Sequence, residues 1–214
     1  MSIDRFLTKP WLRASASAAL VLGMKRHALE AYEQIVAVDP RDVAARATVG
    51  TMRMEHGDAI GAIDAFLKLI EVAPDHADSW FNLGFIYEQR DEQAPAERCF
   101  RRALELNASL DRAWYGLALV LIRSGRLSEA VPALKRNIEL QPFSPYGYYQ
   151  LAMTYQHLGA SGDAWRTYEE LKSFEPRYAA TLKRDLEQSR RPSRADPSQP
   201  SVATSTKEAS QAGS

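Results

Sequence analysis

The sequence predicts an all-α solenoid of helix-turn-helix units. Three observations predict it: a period of 34 residues, small residues at two fixed places in that period, and turn-forming residues in register between the apolar stretches. Trp80-Phe81-Asn82-Leu83-Gly84 aligns without gaps over Trp114-Tyr115-Gly116-Leu117-Ala118 and then over Tyr148-Tyr149-Gln150-Leu151-Ala152, at a spacing of 34 each time. The frame divides residues 9–178 into five units: 9–42, 43–76, 77–110, 111–144 and 145–178.

Ahead of the frame, residues 1–8 carry Ile3, Phe6 and Leu7, which are expected to lie over the first unit as an N-terminal cap. Within each unit the eighth position is Ala16, Gly50, Gly84, Ala118 or Ala152, and the twentieth is Ala28, Ala62, Ala96, Ala130 or Ala164. Larger apolar residues recur at helical spacing around them, as in Trp80, Leu83 and Tyr87, or Trp114, Leu117 and Leu121, with Phe100 and Ala103 on the second helix. Two antiparallel helices can then cross closely where both lack bulk, with larger side chains interlocking on either side.

The turns follow the same frame. Gly23, Gly57, Gly125 and Gly159 stand where the first helix needs a left-handed terminator, and Asp58, Ser128 and Ser161 follow as N-cap candidates. Pro40, Pro74, Pro142 and Pro176 stop the second helix, and Ser144-Pro145 reads as an N-cap followed by proline in the first helical position. After the last unit, Tyr178, Leu182 and Leu186 share one face of a predicted capping helix over 179–190. Residues 191–214, with three prolines among Ser, Thr, Ala and Gln and no aromatic, are too poor in apolar surface to order themselves and are expected to be a disordered tail.

These residues resemble the tetratricopeptide repeat, whose unit reads Trp-x-x-Leu-Gly-x-x-Tyr, then Ala-x-x-x-Phe, then Pro. The third unit carries the pattern as Trp80, Leu83, Gly84, Tyr87, Ala96, Phe100 and Ala103. The resemblance implies a right-handed superhelical solenoid with a C-terminal capping helix. Departures are Arg46 and Arg53 in place of aromatics, Asp91 for Gly, Ala108 for Pro and Asn137 for a small residue.

Composition narrows the function. Twenty-seven Lys plus Arg balance twenty-seven Asp plus Glu, so there is no basic field of the kind nucleic-acid binding needs. Cys99 is the only cysteine, which excludes an intrachain disulfide framework and cysteine-rich metal sites. His27, His56, His76 and His157 fall in different units without metal-ligand spacing, and no glycine-rich phosphate loop is present. No catalytic residue, metal or cofactor is expected, and Cys99 reads as a packed structural thiol. No stretch reaches the roughly 18 apolar residues of a spanning helix. Arg5, Lys9 and Arg13 followed by Ala14–Leu22 have the layout of a weak export signal, so a cytoplasmic location is expected, or a periplasmic one if that segment is used.

In proteins of the resembling family the first helix of each unit lines a concave face. Its positions 5, 6, 9 and 12 give Phe81, Asn82, Phe85, Tyr115, Leu119, Ile122, Tyr149, Gln150 and Met153 as a candidate partner-binding groove over units three to five. Arg112 and Arg123 border it as candidate charges for an acidic partner. The basic and Asn set with which some family members clamp a terminal carboxylate is missing, since the first units offer Arg13 with Ser17 and Ala47, Thr48 with Thr51. The expected function is a non-catalytic adaptor holding a peptide or helix of another protein by apolar anchors. Two alternatives stay open: a self-assembling scaffold, hence a homo-oligomer, and an exported accessory factor of envelope or pilus biogenesis.

Overall fold

The computed structural model describes residues 4–189, with side chains from residue 9 onward. Among the described residues there are eleven helices. They run α1 (Asp4–Val21), α2 (Lys25–Val38), α3 (Val43–Glu55), α4 (Ala59–Val72), α5 (Ala77–Gln89), α6 (Gln93–Leu106), α7 (Asp111–Arg123), α8 (Leu127–Leu140), α9 (Pro145–His157), α10 (Ser161–Phe174) and α11 (Pro176–Ser189). Each helix packs chiefly on its sequence neighbours, so the hairpins stack into a solenoid. The helices α3, α5, α7 and α9 begin at Val43, Ala77, Asp111 and Pro145, one 34-residue step apart.

The small positions sit where hairpin helices touch. Ala16, Ala28, Ala62, Ala96, Ala118, Ala130, Ala152 and Ala164 are fully buried. At Gly50 a Cβ atom would lie 2.7 Å from the Phe66 ring, and at Gly84 2.8 Å from the Phe100 ring, so the absent methyl is what lets those rings in. Between the helices of a hairpin, Gly23, Gly57, Gly125 and Gly159 all adopt positive φ; in the third hairpin Asp91 takes the same conformation at φ 62°. Aspartate is among the few residues that visit this region without glycine's freedom.

A second repeating device explains the Arg46 departure. In units two to five the fourth residue donates a side-chain hydrogen bond to the carbonyl six residues before it. Trp80 Nε1 donates to Pro74 O at 3.0 Å, Trp114 Nε1 to Ala108 O at 2.9 Å, and Tyr148 Oη to Pro142 O at 3.1 Å. Arg46 Nε reaches Pro40 O at 2.5 Å in the same way. The position selects a long donor that straps the connection between units, and aromaticity is secondary. Arg53, the other departure, donates to Gly61 O and pairs with Glu33 at 2.6 Å.

Several expectations need correction. Asp58 does cap α4, accepting from Gly61 N at 2.9 Å, but Ser128 and Ser161 lie inside α8 and α10. The N-cap residues there are Arg126 and Ala160, neither with a capping side chain, because each helix starts one or two residues earlier than the hydroxyls suggested. Ser144 occupies the N-cap of α9 without a capping hydrogen bond. Caps come instead from Asp42, accepting from Ala45 N, and from His76, accepting from Ser79 N. Pro176 is the first residue of α11, which therefore begins before residue 179; Ala179, Leu182 and Leu186 are its buried face. Residues 4–8 continue directly into α1 and are not a separate segment. Ile3 and the 191–214 tail lie outside the described residues, and the Phe6 and Leu7 side chains outside the described side chains.

Candidate functional site

The helices α5 and α7 lie side by side on one face of the array, and there they frame an open cavity of about 440 Å³. Phe81 and Phe85, one helical turn apart on α5, form one wall; Arg112, Tyr115 and Leu119 on α7 form the other. Phe100 of α6 and the bare backbone of Gly116 close the floor, and a Cβ atom on Gly116 would stand 2.5 Å from the Phe100 ring. Phe81 stacks on Phe85 with centroids 6.5 Å apart, and Phe85 keeps 39% of its surface exposed.

Polar groups rim this apolar space. The Arg112 guanidinium lies 4.8 Å from the Phe81 centroid, a cation–π contact that leaves its N–H edge available. Glu88 is buried on α5, ion-paired with Arg123 and accepting from Gln89 Nε2 at 2.9 Å. Asn137 of α8 donates from Nδ2 to the Asp111 carbonyl at 2.9 Å, and Gln141, Ser144 and Tyr146 complete the far edge.

Of the predicted groove residues, Phe81, Phe85, Tyr115, Leu119 and Arg112 therefore converge on one cavity. The others do not reach it. Asn82 is half-buried outside it, and Ile122 packs against the core of units three and four. Met153 packs into the C-terminal core. Tyr149 is taken by α11: its hydroxyl donates to Asp185 at 2.6 Å and its ring meets the edge of Tyr178, and the Asp185 hydrogen bond together with burial pushes its pKa to about 12. Gln150 sits beside the Tyr115 hydroxyl, where burial raises the phenol pKa and the Gln150 hydrogen bond opposes that rise. Arg123 is held by Glu88, with Asp91 at 3.9 Å, and is no free groove charge.

Glu88, Gln89, Phe100, Asn137, Gln141, Ser144 and Tyr146 line the cavity without having been singled out for it. Asn137 had a visible signal, a polar residue where the other units carry the apolar Ile35, Leu69, Ala103 and Leu171. Glu88 had one too, an acid where three other units carry Leu20, Met54 and Ile122.

No other chemistry is gathered here. Cys99 is buried, and burial pushes its thiol pKa up to about 11, far from a reactive thiolate. Among the described residues no three His, Cys, Asp or Glu side chains group as a metal site, and no helix is long and apolar enough to cross a membrane.

A tetratricopeptide repeat family model matches residues 94–145, and a second tetratricopeptide repeat model matches residues 77–109. Among solved structures, MamA is 23% identical with a TM-score of 0.73, over 81% of this chain and 94% of that one. YrrB, described as a TPR protein with an unusual peptide-binding site, is 20% identical with a TM-score of 0.68, over 79% of this chain and 88% of that one. A double mutant of MamA from RS-1 is 16% identical with a TM-score of 0.72, over 85% and 97%. No curated protein matches the chain. The 34-residue frame, the stacked hairpins and these matches together make the chain a tetratricopeptide repeat protein, an α-helical scaffold of the kind that serves protein–protein interaction.

Proposed function

We propose that this chain is a non-catalytic adaptor that holds a segment of a partner protein in the groove between α5 and α7. The observation that carries the reading is the open apolar cavity of about 440 Å³ beneath Phe85 and Leu119, within the roughly 300–1,000 Å³ range of ligand sites. A contiguous apolar patch facing water marks a contact site, and Phe81, Phe85, Tyr115 and Leu119 line this cavity together. YrrB, with its peptide-binding site, supports the reading by fold alone. The groove is shorter than the sequence suggested, because α11 occupies the Tyr149 surface of unit five. A ligand accordingly places one or two apolar anchors between Phe85 and Leu119 and runs past Arg112.

Peptides selected from a random display library on the full chain test this. Binders should lose at least ten-fold in affinity on Leu119→Glu, a variant whose helicity is checked by circular dichroism, since the new charge stands where an apolar anchor is to be buried. Binders indifferent to Leu119→Glu and to Phe85→Glu would sink the groove reading.

A further inference from the structure

The N-terminal end of the array presents an apolar face that the rest of the fold shows to be built for packing. Positions 3, 7 and 10 of each later unit are buried against the preceding hairpin. They are Ala45, Val49 and Met52 on α3, Ser79, Leu83 and Ile86 on α5, Ala113, Leu117 and Val120 on α7, and Gly147, Leu151 and Thr154 on α9. Leu83 and Ile86, for instance, pack with Phe66 of α4, and Leu117 and Val120 with Phe100 of α6. On α1 the same positions are Trp11, Ser15 and Ala18, and all three are exposed. Leu22 continues the stripe one turn on, with Val21 at its flank; Trp11, Val21 and Leu22 are 68%, 87% and 71% exposed.

We infer that this face is a self-association surface, on which α1 of a second copy of this chain packs antiparallel about a two-fold axis. Trp11, Ser15 and Ala18 form one stripe of α1 and Leu22 follows directly after its last residue with its N–H bonded to Ala18 O at 3.0 Å, so antiparallel pairing sets Trp11 of one copy against Leu22 of the other, with Ser15 against Ala18 at the centre. The small central pair lets the helix axes approach, and the large outer pair covers both ends.

Other occupants fit less well. A further repeat continuing the solenoid would need a small residue at position 3, where Ala45, Ser79, Ala113 and Gly147 stand; a Cβ on Gly147 would meet Asn137 Oδ1 at 2.5 Å. Trp11 is incompatible with so close an approach. Head-to-tail stacking would lay Trp11 and Leu22 on α11, whose outer residues Thr181, Lys183, Arg184, Glu187 and Gln188 are exposed and polar. The 190–214 segment contains Val202 as its single large apolar residue and cannot supply a matching stripe. An anionic membrane would be drawn by a cluster of basic residues, but Lys9 is paired with Asp39 and Asp42, Arg13 with Asp42, and Lys25 lies 3.8 Å from Glu55, which leaves the exposed Arg26 without such a cluster around it.

Sedimentation equilibrium of the full chain over a wide concentration range tests the pairing. Wild type should approach twice the chain mass of 23.9 kDa and dissociate on dilution. Ala18→Glu, an exposed helical substitution that sets two like charges near the axis, should weaken the dimer at least ten-fold. Ser15→Lys combined with Ala18→Glu should restore most of the loss, because each lysine then meets a partner's glutamate. A wild type that stays monomeric throughout overturns the inference, as does a dimer untouched by Ala18→Glu. A monomer that instead floats with vesicles of anionic phospholipid assigns the face to a membrane surface and overturns it equally.

Discussion

Phe100 is clamped between two glycines, and Gly116→Ala should expose how tightly. The ring is 1% exposed, and a Cβ on Gly116 would stand 2.5, 2.8 and 2.9 Å from its Cζ, Cε1 and Cε2, while a Cβ on Gly84 would meet Cδ1, Cε1 and Cγ at 2.8 to 3.1 Å. Glycines from consecutive units both pack on this ring, with Cε1 close to each, so a methyl on one pushes the ring from a seat that the other also shapes. Alanine in the middle of α7 gains about 1 kcal/mol of helix propensity over glycine, whereas overpacking a filled core costs about 1 to 3 kcal/mol. The second effect should win here, giving a net loss of roughly 1 kcal/mol. Urea titration followed by Trp80 and Trp114 fluorescence reads the loss where it occurs, since both indoles lie in the units that share the ring. A double-mutant cycle with Phe100→Leu isolates the clash: the two changes should couple favourably by about 1 to 2 kcal/mol. If Gly116→Ala is more stable than wild type by the propensity increment and shows no coupling, the clamp has slack and the reasoning fails.

Two further outcomes follow from the sequence departures and the N-terminal charges. Arg46→Ala should cost about 1 kcal/mol in thermal or urea unfolding through loss of the Nε donor to Pro40 O, while Arg46→Trp, which retains a donor of similar reach, should cost much less; equal losses would show that the guanidinium charge, not the strap, matters. Burial pushes the Asp42 carboxyl up, but Lys9, the Ala45 N–H and Arg13 outweigh it and hold the pKa at about 2, below the ordinary 3.8. The folded pKa is depressed, so the resulting stability is present in full above the unfolded value and is lost as pH falls from about 4 through about 2. The stability gap between wild type and Asp42→Asn should therefore close over that window, and a gap that stays constant from pH 5 to pH 2 would contradict the assignment.

The sequence made the repeat legible because its signals are local to one unit. Small residues at positions 8 and 20, a left-handed residue between helices and proline after the second helix each act within about one hairpin, and they fall in the same frame as α3 to α9. The unread part depends on pairs that cross from one unit to the next at different positions. Glu88, at position 12 of its unit, takes Arg123 from position 13 of the next, and Tyr149, at position 5, takes Asp185 from α11. A scheme that reads each position down the array assigns Arg123 and Tyr149 to an open face, since nothing in their own units satisfies them. The same logic explains why Arg46 looked like a defect: its strap to Pro40 spans the boundary between units, and only the donor, not the residue type, is shared with Trp80, Trp114 and Tyr148. In a solenoid the face of each helix is written in its own unit, but whether that face is free is written in the neighbouring one. Among the described residues, the cavity between α5 and α7 and the α1 stripe remain open because at those two places no neighbouring side chain fills them.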